Sequence, residues 1–291
     1  MIDYDLHIHS NFSDGVLTPL EIFKRAIAKK LKGIAITDHD TVQAISSAIK
    51  LSHTYEIDFI PGIELSTSYN DLEVHILGYY IDHENTTLLK ILNKLKDKRF
   101  ERLIKMLEKI NKLGYSITIE ELLIIVGASS DLNSMGRPHL ARALVSKGYF
   151  KNIQEVFIKL LSNGMPGYVE RIKFKTRDGI ELIKKFGGVP VIAHPGLIKM
   201  TKAKLENLIE DLTLSGLMGI EVYHTDQTTE TSSYLTKLAY KHDLLITGGS
   251  DFHCESAQRA LCIGSRGVLT FDILKLKAAA GRSTPPVEPR S

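Results

Sequence analysis

A chain of 291 residues, 43% hydrophobic and 24% charged, has an ordinary globular composition, which excludes a disordered or fibrous protein and allows one elaborated domain or two modest ones. No apolar run is long enough to span a bilayer and the start MIDYDLHIHS lacks basic and apolar signal regions, so a soluble cytoplasmic protein without membrane association is expected. The formal net charge is +3, but residues 94–175 hold 16 Lys or Arg against 8 Asp or Glu, a net of +8 that leaves −5 for the rest; this basic middle is either a set of solvated helix faces or a surface that attracts an anionic substrate.

The first strand is read over Ile2 to Ile8. A helix follows with Thr18 as N-cap, Pro19 in the first position and Glu21 at the third, and it stops at Gly33. Gly33 to Thr37 reads as a strand, Thr41 opens a second helix, and Phe59 to Ser66 and Glu73 to Tyr80 read as strands. From Asn85 to Leu113 a charged amphipathic pattern places Leu92, Leu95, Leu103, Leu107 and Ile110 on one side and ends at Gly114. Further helices are expected near 119–126, 138–147 and 152–161, with no strand among them. The βα rhythm then resumes: a helix from Thr176 to Phe186, a strand from Gly188 to Ala193, a helix over 202–214, a strand from Gly219 to Tyr223, a helix over 229–241 and a strand from Leu244 to Gly248. Such alternation predicts a mostly parallel sheet or barrel, here split by an all-helical insertion. The tail GRSTPPVEPRS, 281–291, is expected to be disordered, and Cys254 and Cys262 lack the spacing of a structural zinc site and read as reduced thiols.

His7 and His9 are two apart on a strand, so both point to one face, a geometry that suits two ligands on one ion but that core histidines also show. Asp14 follows in HSNFSDG, where a plain Asp-Gly turn is the alternative. Three more clusters directly follow strand-like runs: Thr37-Asp38-His39-Asp40, Ala193-His194-Pro195 and Gly249-Ser250-Asp251-Phe252-His253. Functional groups of parallel α/β folds collect at this edge. Glu64 and His75 lie on predicted strands between them. Six histidines and three carboxylates on one rim would need many compensating hydrogen bonds if nothing else neutralised them, so a multinuclear metal centre is expected.

The ordered runs DLHIHSNFSDG, GIAITDHDT, PGIELS, EVHILGYY, VIAHPG and ITGGSDFH resemble the polymerase-and-histidinol-phosphatase (PHP) family of metal-dependent phosphoesterases. The resemblance implies an α/β fold, a distorted TIM-like barrel of seven strands, and three divalent ions. It places His7, His9, Glu64 and Asp251 on the first ion, has Glu64 bridge to a second held by His75 and His194, and puts Asp14, His39 and His253 on the third. An oxygen ligand at Asp14, where some members have His, favours manganese or magnesium beside zinc or iron. Cys254 stands where the family commonly has Gly. SMGRPHLARALVSKGY followed by GYVER resembles the subgroup whose helical cap serves nucleotides, including nucleoside 3',5'-bisphosphates and AMP-like compounds, and in some members short RNA cut from its 5' end. That places Ser134, Arg137, His139 and, by the looser match Tyr168-Val-Glu-Arg171, Arg171 at the substrate. Arg137 could also be simply the residue before a helix-starting Pro138, although a planar guanidinium suits bidentate phosphate contact.

The implied organisation is a first barrel half over 1–95, a cap over 96–170 and a second half over 171–280. The implied chemistry is in-line attack by a metal-bridging hydroxide, with Glu64, Asp251 and His194 as catalytic residues and the leaving group protonated near His194 or Asp251, by His139 or by water. The expected partner is a nucleotide or short RNA, with no protein partner. Three other readings stand beside it: a histidinol phosphate phosphatase, an inactive metal-stabilised nucleic-acid-binding module, which would have lost ligands that are all present here, and an amidohydrolase, which would want a bridging lysine that no motif supplies.

Overall fold

Short β-branched runs become strands where the sequence places them, and the computed structural model, which describes residues 2–126, 135–170, 174–254 and 262–283, joins seven of them in chain order. They are β1 (Tyr4–Ile8), β2 (Gly33–Ile36), β3 (Asp58–Tyr69), β4 (Leu72–Tyr79), β5 (Val189–Ile192), β6 (Gly219–His224) and β7 (Leu245–Gly249). Neighbours pair in parallel except at β4, which is antiparallel to both β3 and β5. The cause is local. Tyr69 pairs with Leu72, and the two residues between them, Asn70 and Asp71, take left-handed φ values of 45° and 67°, a two-residue turn whose twist joins antiparallel strands. At the other side the His9 amide donates to the Phe252 carbonyl at 2.9 Å and Ile8 bridges to Phe252 in parallel, giving a nearly closed barrel. Gly249 permits this approach, because a Cβ there would lie 2.3 Å from the His7 backbone nitrogen.

Helix α1 (Pro19–Ala28) starts with the expected reciprocal cap: the Thr18 hydroxyl accepts the Glu21 amide while the Glu21 carboxylate accepts the Thr18 amide. It ends at Ala28 rather than at Gly33, and Lys30 turns the chain with φ 60°. Helix α2 (Ile45–Tyr55) begins four residues after Thr41, whose hydroxyl accepts the Gln43 amide in a turn instead of capping a helix. Next come α3 (Thr86–Lys112), α4 (Ile119–Val126), α5 (Arg137–Ser146) and α6 (Ile153–Val156), the last running into a π turn over Phe157–Leu161. Then α7 (Thr176–Lys185), α8 (Lys202–Leu214) and α9 (Thr229–Lys241) alternate with β5 to β7. A final helix, α10 (Thr270–Ser283), was not foreseen; it takes in the first three residues of the expected disordered tail, whose remainder lies outside the described residues. No helix of the described residues is long and apolar enough to cross a membrane.

Helix α3 serves two cores. Leu88 and Leu92 near its start belong to the cluster formed by the barrel and its outer helices. Leu103, Leu107 and Ile110 further along pack with Leu140, Leu144 and Leu160 into a separate cluster. A fully buried side chain of this kind stabilises by about 1.5–3 kcal/mol, so each end of α3 is fixed and the helix sets the position of α4 to α6 relative to the barrel rim.

Candidate metal centre

Buried carboxylates shape the segments that carry the site. Asp5 accepts the amides of His7, Ser250 and Gly264 at 3.3, 2.9 and 2.8 Å, which ties β1 to the segments after β7. Asp38 accepts the Ser10 amide at 2.8 Å and the hydroxyls of Ser10 and Ser13 at 2.6 Å, which fixes the loop HSNFSDG. Gly15 completes that loop, since a Cβ there would lie 2.2 Å from the His9 carbonyl oxygen. Asp40, His194 and Asp251 all sit at strand ends in the left-handed region, with φ of 53°, 31° and 52°. Backbone strain of this kind persists where surrounding structure enforces it, commonly at functional sites.

Glu64, 1% exposed, is the centre of the arrangement. Its Oε1 lies 2.9 Å from His75 Nδ1 and 3.0 Å from His194 Nε2. Its Oε2 lies 3.1 Å from His39 Nδ1, 3.2 Å from His9 Nε2 and 3.4 Å from His7 Nε2. Asp251 Oδ1 stands 3.2 and 3.3 Å from the same nitrogens of His9 and His7. Asp14 Oδ1 is 3.2 Å from His253 Nε2, and its Oδ2 is 3.8 Å from His39 Nε2. All nine residues singled out in the sequence as metal ligands therefore meet at one end of the barrel. Burial pushes the Glu64 carboxyl up, but the facing His39, His75 and His7 hold it well below the usual carboxylate range; Asp251 is held down against burial in the same way by His7 and His253.

A divalent cation suits this donor set. Glu221 Oε1 accepts the Nδ1 proton of His7 at 2.9 Å, so His7 turns a lone pair on Nε2 toward His9 Nε2, only 3.1 Å away. Beside them Glu64 Oε2 is buried without a hydrogen-bond partner. Converging lone pairs and an orphaned carboxylate oxygen are what a bound ion would satisfy. Three groups of side chains are close enough to share an ion: His9, Asp14, His39 and His253; His7, His9 and Asp251; and His39, Glu64 and His75.

The expected substrate residues divide. Arg137, the first residue of α5, faces the metal groups across a cavity of about 80 Å³ that Asp14, His39 and His75 also line. His139 is buried instead: its Nδ1 accepts the Gly136 amide at 3.0 Å at the start of α5, and burial pulls its pKa down to about 4. Ser134 and Arg171 lie outside the described residues.

Several neighbours were not singled out. Glu221 is fully buried, and its Oε2 accepts the His194 amide at 2.7 Å in addition to the His7 bond; its only sequence signal is a carboxylate between apolar residues of a buried strand. His224 lies outside the sequence motifs; it is buried, its Nδ1 accepts the Asp226 amide at 3.1 Å, and its Nε2 therefore donates to Asp251 Oδ2 at 3.2 Å. Arg99 and Arg102, three apart on α3, line the cavity with Arg137; Arg99 donates to Ser66 Oγ at 3.0 Å and pairs with Asp40 at 3.3 Å. Arg142 of α5 donates to the Asp14 carbonyl.

A family match agrees with this geometry. Residues 5–211 match the PHP domain, and the chain belongs to that family. It is a metal-dependent phosphoesterase, a hydrolase of phosphate ester bonds. It is similar to a 3',5'-nucleoside bisphosphate phosphatase from Chromobacterium violaceum, at 34% identity over 253 residues that cover 87% of this chain and 88% of the other. It is also similar to the 5'-3' exoribonuclease Rnm of Escherichia coli, at 32% identity over 252 residues covering 86% and 85%. Among solved structures, that of an amidohydrolase from Chromobacterium violaceum with bound sulfate and no metal superposes with a TM-score of 0.87 at 32% identity, covering 95% of this chain and 96% of that one.

Proposed function

We propose that this phosphoesterase hydrolyses the phosphomonoesters of nucleotides, nucleoside 3',5'-bisphosphates and AMP-like compounds, and acts at the 5' end of short RNA, in the cytoplasm and without a protein partner. The observation that carries the reading is Glu64, whose two oxygens face two different sets of imidazoles while the guanidinium of Arg137 stands across the same cavity. His7, His9, Glu64 and Asp251 would hold one ion, Glu64, His75 and His194 a second, and Asp14, His39 and His253 a third, with manganese favoured by the oxygen donor Asp14 in an imidazole-rich set. The group between two ion positions is a glutamate, where the amidohydrolase reading asks for a lysine.

Bound divalent ions supply an acidified water and polarise the phosphorus–oxygen bonds. The chain's own residues do the rest. Glu221 fixes the tautomer and orientation of His7, and His224 holds Asp251. Residues 96–170 act as a cap: Arg137 offers two donors to phosphate, while Arg99 and Arg102 add positive charge on the same wall. His139, buried and with its pKa pulled down to about 4, is a neutral imidazole at neutral pH and too weak an acid to protonate the leaving oxygen, which leaves that proton to the neighbourhood of His194 and Asp251 or to water.

The test is phosphate release, with added manganese, from nucleoside bisphosphates, AMP, histidinol phosphate and short 5'-phosphorylated RNA, together with elemental analysis. Fastest turnover on histidinol phosphate would overturn the nucleotide reading. Saturation at a single ion would overturn the three-ion centre.

A further inference from the structure

The guanidinium of Arg137 is already engaged. Its Nη2 donates to both oxygens of Glu73, at 2.9 and 2.8 Å, and Glu73 Oε1 also lies 3.3 Å from Nε2 of His75, whose other ring nitrogen faces Glu64. A carboxylate thus occupies the space between an arginine of α5 and a histidine of β4, where an anion touching both would have to sit. We propose that Glu73 is a built-in counter-ion of the phosphate subsite: it holds Arg137 in the absence of substrate, is displaced by the incoming phosphate, and retakes Arg137 as phosphate departs. The inference rests on the proposed role of Arg137 in phosphate binding.

Three features make the exchange feasible. Glu73 is 39% exposed in its side chain, so release returns its charge to water instead of burying it. It also lines a second cavity, of about 420 Å³, shared with Thr67, Ser68, Asp71, Lys109 and Glu170, so the carboxylate has room to turn away from Arg137. Lys109 lines that cavity too and offers a cation to the displaced carboxylate. Finally, a phosphate group carries between one and a half and two negative charges near neutral pH against one on Glu73, and it presents more acceptor oxygens to the same guanidinium. The consequence is a moderated affinity. The carboxylate weakens phosphate binding and so limits inhibition by the released product.

The test uses the metal-loaded full chain and inorganic phosphate, measured both by calorimetric binding and as an inhibitor of turnover. Glu73→Gln keeps the shape and a hydrogen-bond acceptor for His75 but loses the charge; an exposed ion pair of this kind predicts phosphate binding tighter by about twofold to fivefold, with metal content unchanged. Arg137→Ala should weaken phosphate binding, and in that background Glu73→Gln should give no further gain. If Arg137→Ala weakens binding while Glu73→Gln leaves it unaltered, the counter-ion role is wrong and the phosphate role of Arg137 stands. If Arg137→Ala itself has no effect, the underlying reading of the subsite fails. Metal loss or weaker phosphate binding in Glu73→Gln would make Glu73 a support for His75 and overturn the proposal.

Discussion

Glu221→Gln is the sharpest probe of how the centre is held. Two donors converge on this one carboxylate in a fully buried position: His7 Nδ1–H on Oε1 at 2.9 Å and the His194 amide on Oε2 at 2.7 Å. Glutamine has nearly the same shape but only one acceptor oxygen. If that oxygen keeps the His194 amide, the new NH2 group faces His7 Nδ1, and His7 must move its proton to Nε2, the nitrogen that points at His9 and Glu64. If it keeps His7 instead, two donors face each other at His194. In the first case His7 loses the Nε2 lone pair that a cation would use, and in the second a buried hydrogen bond is lost; the latter costs about 1–3 kcal/mol, which corresponds to about fivefold to 150-fold in a binding constant. Supporting carboxylates of metal-binding histidines fall in the same range, about tenfold to a hundredfold in metal affinity or activity. The assay is manganese affinity by competition with a chelator, accompanied by thermal melting of both proteins. Manganese affinity within about twofold of the parent, in a folded Glu221→Gln protein, would refute the orienting role.

Glu64→Ala and Asp251→Ala should each lower turnover by at least about a hundredfold while the barrel still folds, because each removes a carboxylate that faces several imidazoles; near-parental activity in a metal-loaded variant would contradict the assignment. Arg137→Ala should erase a preference for bisphosphates over monophosphates if it holds a non-reacting phosphate, or depress turnover on both alike if it holds the scissile one; unchanged rates and specificity across nucleotides would reduce it to a structural residue. Asp3 accepts the Thr270 hydroxyl at 2.6 Å and the Thr270 amide at 3.0 Å, and these bonds, with Lys32, lower its pKa from 3.8 to about 2. Because the folded value is depressed, the stability it lends to the docking of α10 is present above about pH 4 and is lost as pH falls through about 2; Asp3→Asn should melt at a lower temperature than the parent at pH 7, with the gap closing near pH 2.

What the sequence made legible was whatever is encoded locally. An apolar run followed by a polar cluster, repeated along the chain, marks the carboxyl end of a strand, and three of the metal-site segments, those of His39, His194 and Asp251, are of that kind. His7 and His9 read as a pair because a strand alternates its faces. Glu221 carries the same alternation but no motif, and its importance comes from where β5 brings the His194 amide, a tertiary fact invisible along the chain. The strand β4 is legible along the chain but its antiparallel direction is not, because that depends on the left-handed φ of Asn70 and Asp71 in the turn before it.

The basic residues of 94–175 fall into two sets that a charge count alone does not separate. Lys147 and Lys159 pair with Glu121 and Glu155 at 2.5 and 2.6 Å on the outside, where solvent screens the pairs. Arg99, Arg102 and Arg137 line the cavity beside Asp14, His39 and His75. What separates the groups is the anchoring of α3 in two cores. The barrel core fixes its start and the second hydrophobic cluster fixes its far half, so the turn that bears Arg99 and Arg102 has to cross the rim between them. On the proposed function, guanidiniums held there would raise the local concentration of an anionic substrate beside the metal-ligand cluster, which a lysine on the outer face would not.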